Sequence, residues 1–388
     1  MSLNIVMASQ ETHDPQRQQV MQGYARRIAD ELRQQTGVLG VLLSGSVAAG
    51  PVSESSDLDL HVVISDEFTG TLPEWVFHKE EIIENLHTVK EGELRRGWRA
   101  RNDPASLALW FHKTILGDLL NRFIPLWWNP NTIWQERLPV LVSLRQNPNI
   151  AQRVAECYAE SAHTYWRQAN SACDAKASYD SHHYLRMAFQ AALNATLVHR
   201  GWTLRGSKKC IEIVQAFLPD PFIEILLALG FDIVGLTDMT SDLALQLCKA
   251  RLNYRTALLD ELHRLHSQYS GDEDVARKLQ AAIRGHEKHN TEAYDYYSPL
   301  LDQNIILGPI NHIRCFSGMP QVPRQIISCL QRGESRWPMR EFVELDVVSR
   351  TVRKDWLQIM ALTRSRQRCV QLASALGKTL DDLVTRIR

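Results

Sequence analysis

Several features are scarce or missing in this 388-residue chain, and each absence narrows what it can be. There is no excess charge of either sign, since Lys and Arg total 44 and Asp and Glu total 44. Proteins that grip long nucleic acid carry a basic excess or stripe, because phosphate contacts dominate their affinity. The balance therefore argues against an RNA-tailing or polymerase-like role. No run of about 18 apolar residues occurs, so no membrane span is expected. The opening MSLNIVMASQETHDPQ lacks the basic start and apolar stretch of a secretory signal, and a cytoplasmic location is the expectation. The seven cysteines (157, 173, 210, 248, 315, 329 and 369) are odd in number and none forms a CxxC pair. Reduced thiols, rather than a disulfide framework or a zinc site, are the simple reading. Internal repeats and low-complexity tracts are also missing.

What is present is an ordinary globular composition, 44% hydrophobic and 23% charged, in a chain long enough for two or three domains. Asp14-Pro15 predicts a helix start, with Asp14 as N-cap and proline in the first turn. Val20, Met21, Tyr24, Ile28 and Leu32 follow at helical spacing until Thr36-Gly37. Val38 to Leu43 is nearly all apolar and reads as a buried strand. A second strand follows a polar loop, and Glu80 to Val89 predicts a third. From Ser106 the spacing turns helical through Leu107, Trp110, Phe111, Ile115 and Leu119. Residues 126–149, with prolines at 130, 139 and 148 and Trp127, Trp128 and Trp134, predict a packed passage out of the first domain. Residues 150–269 read as helical, 302–345 as loop-rich, and helix returns from Val348. The expected fold is a mixed-sheet α/β domain over 1–130, followed by a larger all-α region. That region divides into a helical domain over 131–271, closing the cleft, and a C-terminal helical part over 272–388.

The chemistry concentrates in Val38 to Ile64. An apolar strand runs into Ser44-Gly45-Ser46, and after a loop the strand Ser56-Asp57-Leu58-Asp59-Leu60 follows. Residues i and i+2 of a strand share a face, so Asp57 and Asp59 stand together with His61, while Leu58 and Leu60 enter the core. Glycine lets backbone amides approach a phosphate closely, and the Ser46 hydroxyl can donate to one. Paired carboxylates are hard oxygen ligands suited to Mg²⁺.

This arrangement resembles the polymerase-β superfamily of nucleotidyltransferases: strand, Gly-Ser, loop with Gly50, then Ser-Asp-x-Asp between apolar neighbours. The layout, a small α/β part followed by helices, is similar to that of the aminoglycoside-type enzymes. The motif covers about a tenth of the chain. The resemblance implies two Mg²⁺ ions about 3.5–4 Å apart, bound by Asp57, Asp59 and a third carboxylate from a neighbouring strand. Glu84 is the first choice for that acid and Glu81 the alternative. It implies a nucleoside triphosphate, ATP above others, held at Gly45 and Ser46, and a nucleoside monophosphate passed to the hydroxyl of a small molecule. Protein nucleotidylylation of the toxin–antitoxin type and non-catalytic nucleotide sensing are the rival readings. One departure stands out: many relatives carry an Arg after Gly-Ser, where this chain has Val47-Ala48-Ala49. Phosphate charge would then be met by metal and by cations elsewhere. Lys208 and Lys209 are candidates, and so is the run Arg95, Arg96, Arg99 and Arg101.

The bland readings differ in weight. A Gly turn followed by two surface acids explains either half of the motif, but two acids on one strand face repel, and nothing local neutralises them. A solvated basic face outweighs a phosphate clamp for Arg95 to Arg101, and an ordinary surface turn is the rival for Lys208-Lys209. Glu156 and Glu160 are candidate general bases, although exposed helix glutamates are far commoner. His286-Glu287-Lys288-His289 has the wrong spacing for a zinc helix. It reads as ordinary helix, as do His182, His183, His263 and His266. The three tryptophans read as inter-domain core rather than as a stacking platform.

Overall fold

In a computed structural model the chain is described over residues 14–50, 58–70, 84–114, 122–176, 178–202, 217–237, 240–268 and 365–387, with single positions between. Contacts divide it into two compact units. One comprises Ala8–Tyr158, Asn194–Gly206 and Ile387–Arg388, and the other Met1–Met7, Ala159–Leu193 and Ser207–Arg386.

The first unit contains a four-stranded mixed sheet. Helix α1 (Pro15–Leu32) leads into β1 (Val38–Ser44), the short helix α2 (Gly45–Ala49) and β2 (Leu58–Ile64). Then come β3 (Glu84–Lys90), α3 (Glu91–Ala100), α4 (Pro104–Lys113), β4 (Ile124–Trp128) and α5 (Trp134–Arg145). Strand order is β3-β2-β1-β4. Strand β1 runs antiparallel to both β2 and β4, and β2 runs parallel to β3. The helices α6 (Pro148–Asp174), α7 (Ser178–His199), α8 (Pro221–Val234), α9 (Ser241–Gln268) and α10 (Arg366–Ile387) follow. This is the mixed α/β sheet and larger helical part that the sequence predicts. Among the described residues no helix is long and apolar enough to cross a membrane.

Helix starts follow a local rule. Asp14 accepts from the Arg17 amide at 2.9 Å, Asp103 from Ala105 and Ser106 at 3.2 Å, and Asp220 from Phe222 at 2.9 Å. Each is followed by proline, whose missing N–H is harmless in the first turn. Asn147-Pro148 repeats the pattern at α6, where Asn147 accepts from the Asn149 amide at 2.9 Å.

Helix α1 buries Met21, Tyr24, Ala25, Ala29 and Leu32 against Val41, Leu43, Leu58, Leu60 and Val62 of the sheet. Each large side chain so buried contributes about 1.5–3 kcal/mol relative to exposure. Val20, expected in this stripe, is instead 56% exposed, one step round the helix from Met21. Gln18 and Gln22 donate from α1 to the Val47 carbonyl at 3.0 and 3.2 Å, which ties α2 to this core.

The structure adds elements that the sequence reading leaves unassigned. Arg95 to Arg101 lie in α3 and at its end. The aromatic run at 127–128 is strand β4, whose Trp128 ring lies so close over Gly40 that a Cβ there would come within 2.3 Å of it. Trp134 is fully buried in α5 and donates to Glu91 of α3 at 3.1 Å. These tryptophans therefore pack within the sheet-bearing unit. In the helical unit, Phe189 of α7 packs on Gly230 of α8, and His182 Nε2 lies 2.8 Å from the Ile233 carbonyl. Trp166 of α6 donates to the Ala373 carbonyl of α10 at 2.7 Å.

Candidate functional site

The site is built where β1 ends. Ser44 is the last strand residue, and the chain then turns through Gly45 at φ +67°, a left-handed conformation that favours glycine. A Cβ on Gly45 would stand 2.1 Å from Oδ2 of Asp59, so the bare glycine and the carboxylate occupy adjoining space that no other residue type leaves open.

Register decides what shares the face with Asp59. Ser44 pairs with Asp59 and Leu42 with His61 across β1–β2, while Asn85 pairs with Asp59 and His87 with His61 across β2–β3. Paired residues point the same way, and the contacts agree. His61 and His87 stack with ring centroids 4.8 Å apart and planes 28° apart. His61 Nε2 and Ser44 Oγ share a hydrogen bond of 2.9 Å, and His87 Nε2 lies 3.6 Å from Asp59 Oδ1.

The electrostatics are unusual for a surface acid. The Asp59 side chain is only 14% exposed, and among the described residues His87 alone lies within ion-pair distance. A carboxylate withdrawn from water needs a counter-charge. His61 cannot supply one: burial, then the neighbouring His87, push its pKa from 6.5 down to about 3, against a smaller upward pull from Asp59. The ring is therefore neutral, and its Nδ1 has no hydrogen-bond partner among the described residues. A hard oxygen donor lacking a Lys or Arg, set against a glycine cradle, fits a divalent cation. Among the described residues no group of three or more His, Cys, Asp or Glu is arranged to hold a metal; Asp57 lies outside them.

The structure brings Gly45, Ser46 and Asp59 to one end of the sheet. Ser46 is half-buried, with its carbonyl accepting from the Gly50 amide at 2.6 Å. Asp57, Lys208, Lys209 and Glu81 lie outside the described residues, as do His286 and His289. Glu84 opens β3, but its register partner is Leu58, a residue of the apolar core. The position level with Asp59 is Asn85, one residue on, so the register does not set Glu84 beside it. Arg95 pairs with Glu91 one turn away and approaches Asp66 at 3.8 Å, while Arg101 covers the Trp98 ring at 4.4 Å. Both belong to a surface face, in line with the bland reading. On α6, Glu156 is half-buried and Glu160 exposed.

Sequence reasoning missed Ser44 and His87. The signal for His87 was present in the two-residue alternation of Asn85, His87 and Val89. It becomes readable only once the parallel register fixes which alternate set meets Asp59.

No protein-family model and no curated protein matches this chain. A crystal structure of a nucleotidyltransferase-like protein from Exiguobacterium sibiricum 255-15 aligns over 88% of each chain at 14% identity, with a TM-score of 0.30. A likeness that low carries no functional weight, and the site must be judged on its own residues.

Proposed function

We propose that the chain is a metal-dependent nucleotidyltransferase. The observation that carries this reading is the Asp59 carboxylate, mostly withdrawn from water, pressed against a left-handed glycine and without a Lys or Arg partner among the described residues. Asp59, with Asp57, would hold a divalent cation, Mg²⁺ in the sequence reading. A cation bound there would supply positive charge to offset that developing on the phosphoryl oxygens and the departing pyrophosphate. Gly45 and Ser46 would offer backbone and hydroxyl donors to the triphosphate. In the transfer, the acceptor oxygen bonds to the α-phosphorus, the bridging P–O bond to pyrophosphate breaks, and the acceptor proton passes to a base. Glu156, which belongs to the same unit as Asp59, is the candidate for that base. The acceptor class favoured by the neutral charge is a small molecule bearing a hydroxyl, with a protein hydroxyl as rival.

The test is incubation of the full chain with labelled ATP, a divalent metal and an acceptor panel, alongside Asp59→Asn and Asp57→Asn. Transfer abolished by both substitutions supports the reading, and transfer indifferent to both overturns it. Mass spectrometry of small-molecule and protein fractions assigns the acceptor. A second reading, nucleotide binding without transfer, is favoured by the amide residue Asn85 at the position level with Asp59. Metal-dependent ATP binding with no pyrophosphate release against any acceptor would select it.

A further inference from the structure

The ion seat at Asp59 has a nitrogen donor beside it. His87 is 47% exposed, and its Nε2 stands 3.6 Å from Asp59 Oδ1. Two donors bound to one ion at about 2.1 Å stand roughly 3.0–3.4 Å apart, depending on whether the angle is octahedral or tetrahedral. A closure of a few tenths of an ångström would thus let both groups bind one cation. The imidazole is also held in place. It stacks on His61 at 4.8 Å, and His61 is buried and hydrogen-bonded to Ser44. Groups behind a ligand that fix its orientation are a recurring part of metal sites.

The neighbouring strand points the same way. On β3 the positions level with Asp59 and His61 are Asn85 and His87, and neither is an acid. Mg²⁺ takes oxygen donors, so an imidazole in the ligand set turns the site towards a first-row transition ion, and Mn²⁺ is the one among these that is also suited to carboxylate and water. We propose that His87 is a ligand of the cation held by Asp59, positioned by the stack on His61, and that the site takes Mn²⁺ in preference to Mg²⁺. This rests on the reading of Asp59 as a metal ligand. The competing explanation is an ordinary half-exposed His–Asp contact, of the kind that contributes little to stability.

The experiment uses the full chain and Mn²⁺ alone. Binding is followed by electron paramagnetic resonance, and pulsed measurements read the nitrogen coupling of a bound imidazole. The expected result is Mn²⁺ bound with a nitrogen coupling. His87→Gln should abolish the coupling and weaken Mn²⁺ binding about tenfold or more, with Mg²⁺ competition changed far less. Circular dichroism melts confirm that the variant folds. Mn²⁺ that is lost on Asp59→Asn but shows no nitrogen coupling in the parent protein overturns the His87 assignment and leaves the nucleotidyltransferase reading standing. A coupling that survives His87→Gln overturns it equally. Mn²⁺ binding that is absent, or indifferent to Asp59→Asn, overturns both.

Discussion

Gly45→Ala should damage the site more than the fold. The backbone at Gly45 has φ +67°, where a side chain costs about 1–2 kcal/mol. Alanine also restricts the unfolded chain, which would stabilise by about 0.4–1 kcal/mol, but at a positive φ the strain outweighs that gain. A contact term is added, since the new Cβ would lie 2.1 Å from Asp59 Oδ2 and 3.1 Å from its Cγ. The carboxylate is the rotatable end of a side chain, so it can swing away at modest cost. The net loss of stability should be about 1–3 kcal/mol. The displaced carboxylate, however, no longer sits in the cradle, and Mn²⁺ affinity should fall at least about tenfold. Urea unfolding followed by tryptophan fluorescence reads the first number and metal titration the second. A cycle with Asp59→Ala separates the causes, because deleting the carboxylate removes the clash and leaves the backbone strain. The Gly45 substitution should therefore be milder in the Asp59→Ala background. Gly45→Ala with unchanged unfolding midpoint and unchanged metal affinity would refute the reasoning.

Three further outcomes follow from the packing and the charges. In chelator, the buried neutral His61 should make stability fall as pH drops from 6.5 towards 3, because the unfolded chain takes up a proton that the folded chain refuses. The loss at pH 5 relative to pH 7.5 is about 2 kcal/mol, and His61→Gln should flatten that slope in urea titrations. Arg145 is 6% exposed; its Nε has no hydrogen-bond partner among the described residues, burial lowers its pKa, and its guanidinium lies 5.4 Å from the Phe111 ring. Arg145→Met should then be neutral or stabilising by about 1 kcal/mol, and a loss above about 2 kcal/mol in chemical unfolding would show that the charge has an anionic partner. Phe189→Ala removes a fully buried ring packed on Gly230 and should cost about 3–5 kcal/mol, read from urea unfolding followed by circular dichroism.

How much of this was legible depends on whether the information is local. Helix α1 was readable from Asp14-Pro15, and β1 and β2 from apolar runs around a Gly-Ser turn. The same Asx-Pro rule stands at Asp103, Asn147 and Asp220, where the sequence reading applies it only at Asp14. Pro139 lies inside α5, so a proline alone did not mark an end there. Strand β4 was hidden because Ile124 to Trp128 holds a proline and lacks alternation. Among the described residues it pairs only with β1, so Pro125 removes one donor from a strand with a single described partner. The acid face was half readable: period two gave Asp59 and His61 a common side, but their β3 neighbours depend on register. A one-residue shift exchanges Glu84 for Asn85 and Leu86 for His87, and nothing in the local sequence chooses between those sets. Sequence reasoning favoured the acid, whereas the sheet sets Asn85 level with Asp59 and His87 level with His61.

That exchange changes the charge balance of the proposed reaction. A triphosphate brings several negative charges to a face that already carries Asp59. The residues after Ser46 are apolar, His61 is held neutral, and Arg95 is engaged by Glu91 and Asp66. Among the described residues, then, the acid face offers His87 as its one prospective cation. If His87 instead gives its lone pair to a metal, it surrenders even that charge and becomes part of the cation's seat. The positive charge that makes triphosphate binding favourable would then come from the ion and from residues outside the described set. Nucleotide and ion would bind as a coupled pair, each relieving the repulsion that keeps the other out. On that view the Asp59 carboxylate, without a Lys or Arg partner among the described residues, would gain its counter-charge with the substrate.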